Sequence, residues 1–330
     1  MEFDKGDAPL GHFDKGNVPL CHILEGDKMK IGIDIGGSHI AIGVVNNMGV
    51  IVEKIEKRLT KIEKQNIQKS IEKYIVDNVL VFSKKYDIKS IGIAIPGTIH
   101  DGVVLSAGNL GVKNYNILEK LQDKIDLPIA IRNDAKCAAI AENKYGCLKG
   151  YNRSLFLTLG TGIGGAAFLE NKLLTAGVRP GYEFGHMVIE RNGIECTCGR
   201  KGCFERYASM KAFKSKLRNA LGLDETTRGQ ELLKILRDNS EDDENCGIIE
   251  NIVSEYIEDL SIGINNLINI FEPEIIAIGG SFVYFEDIFL ERLKQKVREE
   301  NEKRAGREKV LIKTAVLGND AGIIGAVCDK

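Results

Sequence analysis

The side chains that most restrict how this chain folds lie in GYEFGHMVIERNGIECTCGRKGCFERYAS, residues 181–209. Three cysteines fall within residues 196–203, and one histidine lies ten positions before the first of them. Three thiolates and one imidazole complete a tetrahedral zinc shell of the closed kind that supports structure rather than chemistry. The alternative is a disulfide pair with a spare thiol, but a Cys-x-Cys disulfide is strained. The stretch therefore predicts a structural Zn²⁺ bound by His186, Cys196, Cys198 and Cys203.

Two carboxylates, Glu183 and Glu205, flank this predicted zinc centre. Gly199 and Gly202 lie between the cysteines and allow the tight turns that point all three sulfurs inward. Because a rigid metal centre also fixes the side chains around it, both acids are expected at defined positions beside a polar ligand. The stretch thus predicts a zinc centre next to a binding site.

Length and composition restrict the class of protein. The chain has 330 residues, enough for two domains with their own cores. Lys and Arg number 45 and Asp and Glu 47, a formal net charge of -2, which argues against a nucleic-acid partner. No apolar run is long enough to span a membrane, no signal peptide is visible, and the other cysteines are scattered. Scattered cysteines are typical of a reducing compartment. We expect a cytoplasmic protein that binds neither nucleic acid nor membrane.

Residues 1–28 contain two copies of a ten-residue unit, FDKGDAPLGH and FDKGNVPLCH. The unit has neither a helical nor a strand period, and two copies are too few to stack into a solenoid. We interpret residues 1–28 as a flexible N-terminal extension or tag and expect the fold to begin near Met29. The segment is too short for a three-helix DNA-binding unit and lacks the basic pattern of a recognition helix.

The remaining sequence alternates short apolar runs with helical periods, the pattern of an α/β protein. Residues 30–35 and 40–45 predict two strands joined by a glycine turn, and residues 154–159 and 166–170 repeat that arrangement. This repetition predicts two related halves. Further strands are expected at 50–56, 90–95, 127–131, 274–278 and 310–314, and helices at 66–84, 135–144, 210–221, 228–237, 247–271, 287–302 and from 320 onward.

The glycines of residues 160–165 also fit G-x-G-x-x-G, the fingerprint of dinucleotide binding. That fingerprint needs a helix after its last glycine to hold the pyrophosphate, and residues 166–170 are too few for one. We instead interpret both glycine turns as hairpins whose backbone N–H groups bind phosphates. Asp34, at the end of the first strand, is placed to hold Mg²⁺ through water. With Gly279 and Gly280 as a third glycine point, the pattern favours a nucleotide.

Asn133 and Asp134 follow a predicted strand, where ligands of open α/β sheets bind. An aspartate there can accept a proton from a hydroxyl group that the asparagine orients. Alternatively, Asp134 caps the helix that begins at Ala135, and the sequence leaves both interpretations open. Asn109, within AGNLG, is either a sugar-binding amide or an ordinary turn residue.

Taken together, these motifs resemble the ROK family, the bacterial repressors, open reading frames and sugar kinases. The resemblance covers residues 29–327, and its most specific part is E-x-G-H followed by C-x-C-G-x-x-G-C-x-E between Glu183 and Glu205. IDIGGSHI resembles the first phosphate segment of the family, LGTGIGGA the second and IAIGGS the adenosine segment. RNDA and GNDAGIIGA resemble the two connecting segments.

The resemblance implies a two-lobed, actin-like (ribonuclease-H-like) sugar kinase fold of the α/β class with an inserted zinc knot. Residues 29–133 plus 318–330 would form the small lobe, and 134–317 the large lobe carrying the zinc motif. The implied activity is ATP-dependent phosphorylation of a hexose 6-hydroxyl, with glucose as the default and N-acetylmannosamine, fructose, mannose or allose as alternatives. A homodimer is also implied. A sugar-responsive regulator or a sugar-binding protein without turnover are hypotheses from other classes.

The resemblance also implies a role for each candidate residue. Asp134 would be the general base, and His186 would bind zinc through one ring nitrogen and the sugar through the other. The implied sugar-binding residues are Asn109, Asn133, Asp134, Glu183, His186 and Glu205. The implied contacts to ATP and Mg²⁺ are Asp34, Gly36, Gly37, Ser38, Gly160, Thr161, Gly162, Gly164, Gly279 and Gly280.

Three positions depart from the family pattern. His39 stands where Lys or Asn is more usual, Tyr182 where Gly is common, and Gly108 where Pro is frequent. Because Tyr182 adjoins Glu183, its presence bears on sugar specificity more than on catalysis.

Overall fold

A computed structural model of the chain describes residues 28–175, 182–238, 245–302 and 309–328. Apart from Lys28, the N-terminal extension expected at residues 1–28 lies outside these ranges. Numbered along the chain, the strands are β1 (Met29–Ile35), β2 (His39–Val45), β3 (Ile51–Arg58), β4 (Ile88–Ile95), β5 (Thr98–His100), β6 (Val103–Ala107), β7 (Val112–Asn116), β8 (Ile129–Asn133), β9 (Ser154–Leu159), β10 (Ile163–Leu169), β11 (Lys172–Leu173), β12 (Ile275–Gly280) and β13 (Leu311–Thr314).

Helices cover the faces of the sheets and connect their strands. They are α1 (Lys61–Gln65), α2 (Ile67–Lys85), α3 (Ile117–Gln122), α4 (Asp134–Tyr145), α5 (Glu205–Ala208), α6 (Met210–Ala220), α7 (Gly229–Asp238), α8 (Cys246–Phe271), α9 (Glu286–Glu302) and α10 (Ala321–Ala326). Within the described ranges, no helix is both long and apolar enough to cross a bilayer.

Two five-stranded sheets share one topology. The first has the order β3-β2-β1-β4-β8 and the second β11-β10-β9-β12-β13. In each sheet, one strand pairs antiparallel with the strand that follows it and parallel with a later one: β1 with β2 and β4, β9 with β10 and β12. The predicted two related halves are therefore present, and the α/β fold class is confirmed.

The parallel register of the first sheet places the site residues at one edge. Asp34 on β1 lies opposite Ala94 on β4, and Ala94 lies opposite Arg132 on β8. The carboxyl ends of the three strands thus meet where Asn133 and Asp134 follow. In an open α/β sheet this is the edge at which ligands bind.

Helices α4 and α10 lie between the two sheets. A Cβ atom at Gly32 would lie 2.2 Å from the carbonyl oxygen of Ile323, and one at Gly92 would lie 2.0 Å from that of Ala326. The backbone of α10 therefore packs directly on β1 and β4, which is possible only where the strands lack side chains. Helix α10 also packs against α4, which contacts β9 and β10 of the second sheet.

Each sheet has its own apolar core. One core gathers buried side chains from Met29 to Ile125, and the other gathers them from Leu155 to Ile312. The long helix α8, predicted at 247–271, runs from Cys246 to Phe271 and lines the second core. The lobe boundaries at 133/134 and 317/318 stay a prediction.

Two local features differ from the sequence-based expectation. A three-stranded sheet of β5, β6 and β7 was not predicted, because its strands are only 3 to 5 residues long and carry little alternation. Strand β10 begins at Ile163, three residues before the expected start at 166. A Cβ atom at Gly165 would lie 2.6 Å from the ring of Phe184, so the glycine makes room for that ring within the strand.

Candidate active site and metal cluster

The four predicted zinc ligands form one cluster. One donor atom from each of His186, Cys196, Cys198 and Cys203 lies within 4.8 Å of the other three. The His186 Nδ1 to Cys196 Sγ distance is 3.6 Å, and the Cys198 to Cys203 Sγ distance is 3.5 Å. Tetrahedral Zn²⁺, with bonds of about 2.3 Å to sulfur and about 2.1 Å to nitrogen, separates its ligands by roughly 3.6–3.8 Å. The donor set and its spacing fit zinc.

Tight turns bring the three sulfurs together. Gly199 and Gly202 have φ of 86° and 78°, which side-chain-bearing residues rarely adopt. The Cys196 N–H donates to the carbonyl of Arg200 at 2.8 Å, and the Gly199 N–H donates to that of Cys196 at 3.0 Å. These bonds fold the loop back on itself, as the two glycines between the cysteines predicted.

The thiols of the cluster differ in acidity. The backbone N–H of Arg200 lowers the pKa of Cys198 to about 6, so this thiol ionises at neutral pH. Burial raises the pKa of Cys196 and also raises that of Cys203, to about 12. Cys196 and Cys203 would therefore join Cys198 as thiolates only beside a cation that offsets their charge, as ligands do on binding a metal.

Glu205 connects the metal cluster with the second glycine turn. Its Oε1 accepts a hydrogen bond from Cys196 Sγ at 3.2 Å and lies 3.7 Å from His186 Nδ1. On the other side, a Cβ atom at Gly162 would lie 2.5 Å from Glu205 Oε2. One carboxylate therefore spans the space between the cysteine loop and the turn that follows β9.

Glu183 precedes a short 3₁₀ helix, Phe184–His186, which carries the histidine ligand. Burial raises the pKa of Glu183, the charges of His186 and Lys136 oppose that shift, and Glu205 and Asp134 add to it. The carboxyl group is therefore within electrostatic reach of both the zinc loop and the first turn of α4. His186 directs Nδ1 to the cysteines, which leaves Nε2 for another partner.

The structure separates the roles of Asn133 and Asp134. Asn133 is the N-cap of α4, since its Oδ1 accepts a hydrogen bond from the Lys136 N–H at 3.2 Å. Its Nδ2 donates to the carbonyl of Gly97 at 3.1 Å, which leaves one amide hydrogen for a ligand. Asp134 is the first residue of the helix, and its Oδ1 accepts a hydrogen bond from the N–H of its neighbour Ala135 at 2.8 Å. The cap is Asn133, so the carboxylate of Asp134 is not used for capping.

Asp34 and Asp134 act on each other electrostatically. Burial raises the pKa of Asp34 to about 7, the charge of Asp134 adds to that shift, and Lys54 opposes it. Burial also raises the pKa of Asp134. Two half-buried carboxyl groups, one of which is harder to ionise because of the other's charge, fit a divalent cation with oxygen ligands, such as Mg²⁺.

The glycine turns lie around this pair of acids. A Cβ atom at Gly37 would lie 2.9 Å from the carbonyl oxygen of Asn109, which places Asn109 beside the first turn. A Cβ atom at Gly164 would lie 2.9 Å from Cβ of Ala135, so the second turn packs against the start of α4. In the second sheet, Gly280 pairs with Leu159, which puts the third glycine point beside the second turn.

Comparison with known proteins agrees with this geometry. Residues 30–328 match the ROK family. This chain belongs to the ROK family. A glucokinase from Streptomyces coelicolor is 28% identical over 311 residues, which is 90% of this chain and 96% of that protein. A xylose repressor from Caldicellulosiruptor bescii is 30% identical over 285 residues, which is 82% of this chain and 70% of the repressor.

A solved ROK structure shows the same fold. The ROK family glucokinase from Streptomyces griseus, in complex with glucose and AMPPNP, superposes with a TM-score of 0.73 and 26% identity. The match covers 90% of this chain and 97% of the other. The expected actin-like fold of a ROK protein is thereby confirmed.

In this ROK protein, contacts and electrostatic interactions connect several candidate residues around the start of α4. The charge of Asp134 raises the pKa of both Asp34 and Glu183, and Glu205 lies against the second glycine turn. Gly280 pairs with Leu159 beside that turn. Two lysines were missed from the sequence. Lys54 Nζ lies 2.7 Å from Asp320 Oδ1 and opposes the pKa shift of Asp34, while Lys136 acts on Glu183. Lys136 could have been found, because it lies two positions after Asp134.

Proposed function

We propose that this ROK protein is an ATP-dependent hexose kinase that phosphorylates the sugar 6-hydroxyl, with glucose as its substrate. The observation that carries the proposal is Asp134, a half-buried carboxylate that does not cap its helix, with the second glycine turn packed against the start of α4 and Glu183 within electrostatic reach. Its glucokinase relatives, one of them solved with glucose and an ATP analogue, support the class of reaction.

Asp134 acts as the general base. As the sugar oxygen attacks the γ-phosphorus, the carboxylate takes the hydroxyl proton, the bond to the β-phosphate oxygen breaks, and ADP leaves. Burial raises the pKa of Asp134, which makes its carboxylate a better proton acceptor than that of an exposed aspartate. Such a base contributes roughly 10²–10⁴-fold, or about 3–5 kcal/mol.

Backbone donors and one carboxylate position the phosphates. N–H groups around Gly36 and Gly37, and around Gly162 and Gly164, would bind the transferring phosphoryl group. Asp34 would hold Mg²⁺ through water, and the ion would neutralise charge on the β- and γ-phosphates when bound. Ser38 and Thr161 flank these donors, and Gly279 and Gly280 border the adenosine.

The sugar lies on the other side of Asp134. Glu183, Glu205 and His186 Nε2 would bind its hydroxyl groups, with Asn109 and the remaining amide hydrogen of Asn133 completing the set. Zn²⁺ would hold the loop that carries the first three groups. N-acetylmannosamine, fructose, mannose or allose would use the same contacts, and they are the alternative substrates.

A coupled ADP-release assay with Mg-ATP tests the proposal across hexoses and N-acetylhexosamines, with zinc content measured on the same sample. Turnover on glucose with about one zinc per chain is the expected result. Turnover only on another sugar would change the substrate but keep the kinase. A folded, zinc-containing protein with no turnover on any sugar would refute the kinase assignment.

A sugar-responsive regulator is the second candidate, because of the similarity to the xylose repressor. An electrophoretic mobility shift with operator DNA, with and without sugar, distinguishes it from the kinase. The balanced charge of the chain and the uncommitted carboxylate of Asp134 favour the kinase. We further propose a cytoplasmic homodimer, which light scattering of the purified chain would test for its oligomeric state.

A further inference from the structure

Lys214 is a half-buried lysine on α6 that the reaction described above does not use. Its Nζ lies 3.3 Å from Ser281 Oγ, directly after Gly279 and Gly280, and 5.1 Å from the centroid of the Phe285 ring. A Cβ atom at Gly229, the first residue of α7, would lie 3.2 Å from the same Nζ. The ammonium group is therefore enclosed between the starts of two helical segments and an aromatic ring.

No carboxylate compensates this charge within the described part of the chain. The charged group that acts on it is Arg218, which is also positive, and burial together with this repulsion lowers the pKa of Lys214. Lys216, two residues along the same helix, is exposed and forms an ion pair with Glu255. The two lysines thus have opposite environments on one helix.

An enclosed ammonium group costs free energy unless hydrogen bonds or charges satisfy it. Among the described residues, its three N–H donors have one hydroxyl partner, Ser281, and the ring of Phe285 adds a cation–π contact. Donors remain for a ligand with acceptor atoms. Most lysine side chains extend their ammonium group into solvent. An enclosed ammonium group with donors to spare is more typical of a binding site.

The position of Lys214 indicates which part of a ligand it meets. The Lys211 N–H donates to the carbonyl of Gly160 at 3.0 Å, so α6 begins at the second glycine turn. Lys214 lies about one helical turn further on, beside Ser281 rather than beside that turn. The phosphates of a bound nucleotide would lie over the turn, and Lys214 would face the part of the ligand that extends beyond the phosphates.

We propose that Lys214 binds the nucleoside half of the phosphoryl donor, donating hydrogen bonds to ribose and base acceptor atoms, and so selects nucleotides over bare polyphosphate. This inference rests on the proposed function, since it assigns a further residue to the same nucleotide site. Phe285, whose ring holds the ammonium group in place, positions it for this contact.

Calorimetric binding of Mg-ADP and of inorganic tripolyphosphate to the full chain tests the inference. Lys214→Met is expected to raise the Kd for ADP about 10- to 100-fold, the loss of a charge-assisted hydrogen bond, and to leave the Kd for tripolyphosphate within about twofold. Lys216→Met, the matched control, removes the same charge from the same helix and should change neither value. Lys214→Arg should recover part of the ADP affinity.

Two results would overturn the inference. An unchanged Kd for ADP in Lys214→Met would remove the contact, and equal weakening of ADP and tripolyphosphate would move it to the phosphates. If Lys214→Met does not fold, as judged by its circular dichroism spectrum, Lys214→Gln takes its place under the same criteria. A wild-type chain that binds no ADP at all would instead refute the proposed kinase, so the two failures are distinguishable.

Discussion

Replacing Asp134 by Asn should greatly reduce catalysis while leaving the local structure and the stability of the fold intact. The amide oxygen of Asn can keep the hydrogen bond from the Ala135 N–H, which is 2.8 Å from Asp134 Oδ1, so α4 should begin unchanged. The helix cap is also preserved, because Asn133 provides it. What the substitution removes is the proton acceptor, and kcat should fall by roughly 10²–10⁴-fold, or about 3–5 kcal/mol.

The same substitution should not destabilise the fold. Burial raises the pKa of Asp134 above its usual range, so keeping it ionised costs the folded state free energy at neutral pH. A neutral amide of the same shape avoids that cost, and it removes one of the charges that raise the pKa of Asp34. We therefore expect the free energy of unfolding of Asp134→Asn to equal or exceed that of the wild type.

Three measurements on one preparation check this reasoning. Steady-state kinetics of ADP release give kcat, calorimetry gives the Kd for the sugar, and urea unfolding gives stability. The expected pattern is a large loss of kcat, a sugar Kd within a few-fold of the wild type and unchanged or greater stability. Near-normal turnover would refute the assignment of the base, and a loss of stability in proportion to the loss of activity would show that Asp134 is structural.

Four further perturbations test other parts of the structure. Because the raised pKa belongs to a group that must be ionised, kcat/KM should fall on acidification at a pH above the ordinary aspartate pKa of 3.8, and a fall only below that pH would contradict the assignment. Removing zinc with a chelator should lower the free energy of unfolding by about 4 kcal/mol, relative to a sample whose free zinc concentration is about 1,000 times the Kd. At an unfolding entropy of roughly 2.1 cal/mol/K per residue, this loss lowers the melting temperature by about 6 °C, as a thermal melt would measure. Gly92→Ala places a Cβ atom 2.0 Å from the carbonyl of Ala326 and should cost about 1–3 kcal/mol in urea unfolding, whereas Gly108→Ala, with no atom within 4 Å, should cost under 1 kcal/mol, roughly the scale of a neutral surface change. Glu142 is fully buried and accepts hydrogen bonds from the N–H groups of Cys147, Val316 and Leu317. Glu142→Gln should therefore lower the free energy of unfolding by about 1–3 kcal/mol, and an unchanged value would show that these hydrogen bonds do not stabilise the fold.

The metal cluster and the hairpin character of the second glycine turn could be predicted because both depend on local spacing. Four potential ligands within residues 186–203 can reach one point only in a compact loop, and the shortness of the segment after residue 165 excludes a helix. The same reasoning placed Asp34 and Asp134 at strand ends. Local patterns of this kind are readable because the chain itself links the groups.

Contacts set by strand register could not be predicted in this way. Lys54 lies on β3 and meets Asp320, 266 positions away, only because β3 pairs with β2 and α10 packs on β1. Lys214 on α6 meets Ser281, which lies 67 positions away and directly follows β12, only through tertiary folding. Which of Asn133 and Asp134 caps α4 was also not predictable from the sequence, because either side chain can cap a helix.

The electrostatics of the site argue that it is built for a ligand. Desolvation makes the ionised form of both Asp34 and Asp134 unfavourable, and the charge of Asp134 makes Asp34 harder still to ionise. Strand register and the close packing of α10 nevertheless hold both acids in place. A fold selected for stability alone would gain by replacing either acid with a neutral residue. Bringing buried acids together beside backbone N–H donors is what phosphoryl transfer requires, since a cation and a proton are both handled between them. A purely structural role does not explain why the fold keeps these two destabilising acids. The proposed phosphoryl transfer does explain it.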